Sequence, residues 1–387
     1  MNLTFCPFAV AQTDYSEELL RVKRMFADAE IASLSEAYKG IETDSGRRLD
    51  LFSLRETGVS TGPIVEAANA FLNSLTPAQT IKTSFSVGDS EWRKWSNVDN
   101  GIYVRQGISL EEMNDVQKKT AHSLMSESLS AKGLELSFDI MKTDQTLREI
   151  NNDLLQYGEE KYFFTVMGLP SAVEPWGWQL DGHHLIINYF VLGDQVVVTP
   201  MFLGGEPVVT ETGKYKGNKI LQDEQNQALA LLQSLDVKQR ATAVIQPDKS
   251  PSNLLAGAGR DNLVLNYEGI AAAELSANQK DKLVMLIRLF IDNIREGHAQ
   301  VRMEEVLRHL DDTYFAWIGG SSDDAVFYYR IHSPVILIEF DHQRPVGVPN
   351  LDPGIPTRQH THVMVRTPNG NDYGKDLLRQ HLETHPH

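Results

Sequence analysis

Apolar positions along this 387-residue chain fall into two rhythms, and the change of rhythm happens twice. They recur at helical spacing over 15–40 and again over "GPIVEAANAFLNSL" (62–75), with Pro63 where a first helical turn tolerates its missing N–H. The pattern then shortens to strand-like runs: "FFTVMG", "HLIINYFVLG" and "QVVVTPMFLGG" within 163–205. The second half repeats the change, ending in "YFAWIGG", "FYYRI", "VILIEFD" and "HTHVMVRTP". "LGDQ" between two of the apolar runs reads as a hairpin turn.

Local matches strengthen the repeat. "LNSLTPAQ" (72–79) and "LQSLDVKQ" (232–239) share L-x-S-L-x-x-x-Q. "GISLEEMNDVQKK" (from 107) matches "GIAAAELSANQKD" (from 269), with capping-box spacing at Ser109/Glu112 and Ser276/Gln279. The stretch 161–191 resembles 312–342 in the same order. A period this long implies two related lobes rather than a solenoid. Helices followed by strands, without βαβ alternation, predict an α+β fold of two pseudo-repeated lobes with mainly antiparallel strands. The boundaries expected are a helical segment over 1–60, a first lobe over 61–220 and a second over 221–387.

Composition narrows the function classes. A formal net charge of −16 disfavours a nucleic-acid or anionic-membrane partner, because phosphate neutralisation needs clustered Lys and Arg. No run of about 18 apolar residues is present, and the start lacks a basic segment before an apolar core, so a cytoplasmic protein is expected. The single cysteine, Cys6, excludes an internal disulfide and a cysteine-rich metal site. No Gly-rich phosphate loop, G-x-S-x-G elbow or H-E-x-x-H occurs.

Candidate chemistry concentrates on three stretches. In "WGWQLDGHHLIINYF" (176–190), His184 shares a strand face with Ile186 and Asn188; His183 points the other way unless a bulge at Gly182 re-aims it. Aligning the repeats with Trp178 against Tyr329 puts Asn188 against Glu339, a carboxylate inside the apolar "VILIEFDH". A buried carboxylate needs a partner. His360 and His362 stand i, i+2 in a strand-rich context, so both imidazoles share one face about 7 Å apart at the backbone. These residues predict one transition-metal ion, iron, copper or zinc, held by His360, His362 and Glu339, with His184 or His183 as a further ligand. Arg330 and Arg366 flank that site and are expected to pair with an anionic substrate or with Glu339 and Asp341. Asp181 or Asp341 could act as general base, and Tyr373 or Asp372 as proton donor. Trp176, Trp178, Tyr328 and Tyr329 wall a pocket or fill the core. Asn371 edges the pocket or caps the last helix, and the terminal His385 and His387 are read as a chain end.

"PWGWQLDGHHL", "LIEFDHQ", "HTHVMVRTPNGNDYGKDLLRQH" and "EWRKWSN" (91–97) together resemble the domain of unknown function 3500 family, from about residue 25 onward. The resemblance implies that the GHH, EFDH and HTH stretches are family hallmarks and implies no particular reaction. The expected function is a mononuclear metal-dependent enzyme on a small organic substrate. An oxidoreductase using dioxygen is favoured over a hydrolase or a non-catalytic binding protein.

Overall fold

The computed structural model describes residues 17–385; Cys6, residues 15–16 of the expected first helix and His387 lie outside them. Helix α1 (Glu17–Ser35) is followed by irregular chain up to α2 (Gly62–Ser74) and α3 (Pro77–Thr83). Next come β1 (Ser84–Phe85), β2 (Ile108–Ser109), α4 (Asp115–Ser128), α5 (Ala131–Asn151), β3 (Phe163–Met167), β4 (Trp176–Asp181), β5 (Leu185–Leu192), β6 (Gln195–Val197) and β7 (Met201–Gly205). The second half runs α6 (Gln222–Ser234), α7 (Val237–Ala243), β8 (Val244–Gln246), β9 (Ile270–Ala271), α8 (Ala277–Ile291), α9 (Glu296–Arg308), β10 (Tyr314–Gly319), β11 (Phe327–His332), β12 (Leu337–His342), β13 (Thr361–Arg366) and α10 (Lys375–Thr384). The fold is α+β.

All these strands join one mixed sheet in the order β1-β3-β4-β5-β7-β13-β12-β11-β10-β8, with β2, β6 and β9 paired to β3, β5 and β10. β1 is parallel to β3 and β8 to β10; the remaining pairs are antiparallel. The halves meet where β7 pairs with β13, Gly204 opposite His362 and Met201 opposite Val365. Sequence pattern shows the strands but not this junction, because neither edge of a half announces its partner.

Capping chemistry explains the repeated L-x-S-L-x-x-x-Q. Gln79 closes a capping box with Thr76 at α3, and Gln239 does so with Asp236 at α7. Each glutamine also bonds the capping glutamine of a second helix: Gln117 of α4 donates to Gln79 and to the Ser74 carbonyl, and Gln279 of α8 to Gln239 and the Ser234 carbonyl. One side chain thus satisfies an orphan helix donor and fastens two helix starts together. Ser276 caps α8 as expected, whereas Ser109 and Glu112 cap a short 3-10 turn; α4 takes its cap from Asn114 and Gln117.

Every residue of β4, β5, β11, β12 and β13 is buried, so neither face of these strands meets water. One face is apolar. The other carries Gln179, Asp181, Asn188, Tyr328, Arg330, Glu339, Asp341, His362 and Arg366, buried all the same. The reason lies in what covers it. Irregular chain around 92–105 and 249–261 crosses this face, and its backbone groups have no ladder to join. Strand side chains answer them: Glu339 accepts from the N–H groups of Leu255 and Ala256, Asp341 from Asn253 and Leu254, and Gln179 donates to the Trp92 carbonyl. No described helix is long and apolar enough to cross a membrane.

Burial also gives the fold an acid sensitivity. Burial, then Arg330 beside it, pulls the imidazole of His332 down to about 3. Its folded pKa is below the unfolded value near 6.5, so its contribution is complete above pH 6.5 and is lost as pH falls toward 3. Replacing His332 by Phe, which keeps a ring against Tyr267 (4.6 Å between centroids), should flatten the stability–pH slope. The expected change is about 1.4 kcal/mol per pH unit between pH 6 and 5, by urea unfolding. An unchanged slope would show that His332 does not titrate with unfolding.

Candidate metal centre

Four histidines converge where α5, the β4–β5 turn, β7 and β13 meet. His360 immediately precedes β13 and His362 is its second residue; their Nε2 atoms are 2.9 Å apart. His184 immediately precedes β5. Its carbonyl accepts from the Gly204 N–H at 2.8 Å, which places it in a row with Gly204 and His362 across β5, β7 and β13. Gly204 leaves room for that row: a Cβ there would lie 3.2 Å from the His184 ring and 2.9 Å from the Thr361 carbonyl. His183 joins it because 182–184 is a tight turn, not strand, closed by Gly182 N–H to the Leu185 carbonyl. Gly182 is required there, since a Cβ would sit 2.1 Å from the Tyr162 ring. The strict alternation expected for the pair therefore does not apply.

Among the described residues two groups each bring three donor atoms within 4.8 Å of one another: His184, His360 and His362, and Asp144, His183 and His184. Ring orientation separates them. His183 and His184 are stacked face to face, 3.7 Å apart and 28° from parallel, so their in-plane lone pairs run side by side. The other three rings stand 55°, 72° and 87° to one another, and their donor atoms lie within 4.8 Å of one another without stacking. Two nitrogens about 2.0–2.1 Å from one ion lie about 2.9 Å apart at a right angle and about 3.3 Å apart at a tetrahedral one. The His360–His362 spacing meets the first value, and without an ion it is a hydrogen bond between the two rings.

Outer contacts fix the rings. Nδ1 of His360 donates to the Arg344 carbonyl at 2.6 Å, which leaves Nε2 with a lone pair facing the centre. The Glu206 carboxylate lies 3.5 Å from the same Nδ1 and is held by the N–H groups of Val346, Gly347 and Val348. Asp144 of α5 lies 3.3 Å from Nδ1 of His184 and 3.0 Å from Nδ1 of His183, while Tyr162 donates to its other oxygen at 2.6 Å. Carboxylates behind metal-binding imidazoles orient the ring and raise its basicity. Burial pushes the Asp144 carboxyl up, but the two imidazoles on it draw it well below the usual carboxylate range. Burial, then His183, lowers His184 to about 4; burial, then His360 and His184, lowers His362 well below the ordinary value. These imidazoles are neutral at pH 7, the form that binds metal. Neither ring nitrogen of the fully buried His184 has a hydrogen-bond partner of good geometry.

The other expected residues are placed elsewhere. Glu339 is engaged by Leu255, Ala256 and the Tyr328 hydroxyl (2.7 Å) and belongs to neither donor group. Asp341, opposite His362 in register, pairs with Lys249 at 2.8 Å; burial lifts its carboxyl to about 6 against that lysine. Asp181 meets Arg105 Nε at 3.2 Å and is likewise raised by burial to about 6. Arg330 pairs with the Glu268 carboxylate. Arg366 donates to Asp261 (2.7 Å), Asp372 (3.2 Å) and the carbonyls of Ala256 and Gly257, with Trp95 under its guanidinium at 5.5 Å. Tyr373 donates to Asp261 at 3.0 Å and accepts from Trp95. Trp176 and Trp178 are wholly buried, Trp178 stacking on Tyr189; Tyr329 stacks on Phe340. Asn371 accepts from the Leu377 N–H at the start of α10.

Asp144 and Glu206 escaped the reading of the sequence. Asp144 did leave a signal: with Ile140, Met141 and Leu147 it occupies the buried stripe of α5, a core position for an ionisable group. Glu206 in "GGEP" left none.

A family model described as "Protein of unknown function (DUF3500)" matches residues 57–375. The chain belongs to this family. No curated protein and no solved structure matches it.

Proposed function

We propose that His184, His360 and His362 hold one transition-metal ion and that the protein is a mononuclear metal-dependent enzyme acting on a small organic substrate. The observation carrying this reading is the convergence of three buried, neutral imidazoles whose rings stand 55–87° apart. The fit is chemical as well as geometric, because an ion would take one of the two buried His184 ring nitrogens that lack a hydrogen bond. Three imidazoles suit copper and zinc as well as iron. With Glu339 engaged by backbone amides, the two-histidine, one-carboxylate set loses its main support. When bound, the ion supplies Lewis acidity and, as copper or iron, redox chemistry.

The neighbouring carboxylates bear on the choice of reaction type. Asp144 and Glu206 are both occupied as acceptors, so neither is a free general base, which favours an oxidoreductase using dioxygen. The second reading, a hydrolase, rests on the match between three neutral imidazoles and catalytic zinc. A non-catalytic metal-binding protein would show the same centre without turnover. Metal analysis of tag-free protein by mass spectrometry tests the core of the proposal: copper or iron near one per chain directs the next assay to oxygen consumption, zinc to hydrolysis. No metal after reconstitution sinks it. The absence of nucleic-acid partners, supported by the acidic balance, and the cytoplasmic location stay part of this proposal. So does the internal duplication, which the matching glutamine clasps support.

Asp144→Asn should weaken the metal roughly 10–100-fold without abolishing it, the range for lost outer carboxylates. A competition titration with a chromophoric chelator measures this. Unchanged affinity would remove Asp144 from the centre.

A further inference from the structure

Behind the metal-bearing strands lies a second, largely enclosed space of about 40 Å³. Its floor is Met201 and Val365, paired on β7 and β13 and facing away from His362. Phe290 and Ile294 at the α8–α9 junction and Val301 of α9 form its roof. Most polar side chains in its wall are already bonded. Gln195 uses both amide ends on Ser53 and Arg55, Thr199 meets Thr367 at 2.7 Å, and Arg302 holds the Val335 carbonyl, Thr367 and Glu305. His298 differs. It is 2 % exposed, lines the space, and its Nε2 is buried without a partner. Leaving such a nitrogen unmade costs about 1–3 kcal/mol, which a ligand group would recover.

We infer that this cavity is a binding site for a small, uncharged molecule with an apolar body and one hydroxyl or carbonyl group bonded to His298, such as a short-chain alcohol or ketone. Size sets the length: about 40 Å³ corresponds to roughly three water-sized positions, so about three or four heavy atoms. Charge sets the head group. Burial, then Arg295, lowers the His298 imidazole to about 4, so it is neutral at pH 7. Arg302 is already neutralised by Glu305, so no free charge calls for an ion. The wall of valine, isoleucine, phenylalanine and methionine selects an apolar body.

Saturation-transfer NMR on the full chain, titrating 1-propanol and 1-fluoropropane, tests the inference. Saturable, roughly millimolar binding is expected, with the alcohol preferred. Val301→Phe, which fills the space from the partly exposed α9, should weaken both probes at least tenfold. His298→Leu should erase the preference for the alcohol while 1-fluoropropane still binds. Absence of saturable binding to the wild type would overturn the site, as would unaltered binding in folded Val301→Phe. If Val301→Phe does not fold, a retained alcohol preference in His298→Leu would still overturn it.

Discussion

Protein carrying His362→Ala should retain less than a tenth of the bound metal of the wild type after reconstitution and desalting. His362 has the most to lose. Its Nε2 faces His360 at 2.9 Å and its ring packs edge-on to Phe202 at 5.0 Å. Two imidazoles remain, too few for a closed mononuclear site. On the proposed function the ion binds the folded chain, so chelation of the wild type should also lower stability. At free metal a thousandfold above the dissociation constant the loss is about 4 kcal/mol. His362→Ala should be insensitive to the chelator. Glu339→Gln is the informative control. Its carboxylate answers Leu255, Ala256 and Tyr328, so the variant should lose stability and keep its metal. Metal lost in Glu339→Gln and kept in His362→Ala would refute the imidazole centre.

The elements were legible where rhythm was strong. The long apolar runs became β5, β12 and β13 because both of their faces are buried, and the repeated glutamine motif marked true helix caps. His360 and His362 stood out because strand periodicity alone brings i, i+2 residues to one side. Glu339 was a reasonable candidate, and its carboxylate meets the amides of Leu255 and Ala256. A carboxylate in an apolar strand must be answered, but sequence cannot say whether by an ion or by the amides of a loop about 84 residues earlier. The same long-range chemistry hid Asp144, 39 residues before His183 and on another element. His183 and His184 take the course left open at Gly182: the chain turns at 182–184, so the two-residue period does not reach them.

Arg366 separates the centre from the frame around it. The sequence places this arginine beside the ligands, and the structure keeps it on the same strand, four residues past His362 and about 13 Å along. There its guanidinium ties two buried carboxylates and two carbonyls of the covering segment to β13. Arg366→Met should therefore cost about 3–5 kcal/mol, the usual result of removing one partner of a buried ionic network. Asp261 keeps Arg93 at 2.7 Å and the Tyr373 hydroxyl, but Asp372 keeps mainly the Thr367 N–H, and burial already raises its carboxyl with the arginine present. Arg366→Lys should recover little, since one ammonium cannot reach four acceptors in a plane. Urea unfolding of both variants, with metal content measured on the folded fraction, checks the assignment. A loss below about 1 kcal/mol would mean the network adds little to the fold. Unchanged stability with lost metal would return Arg366 to the centre, where the sequence pattern first put it.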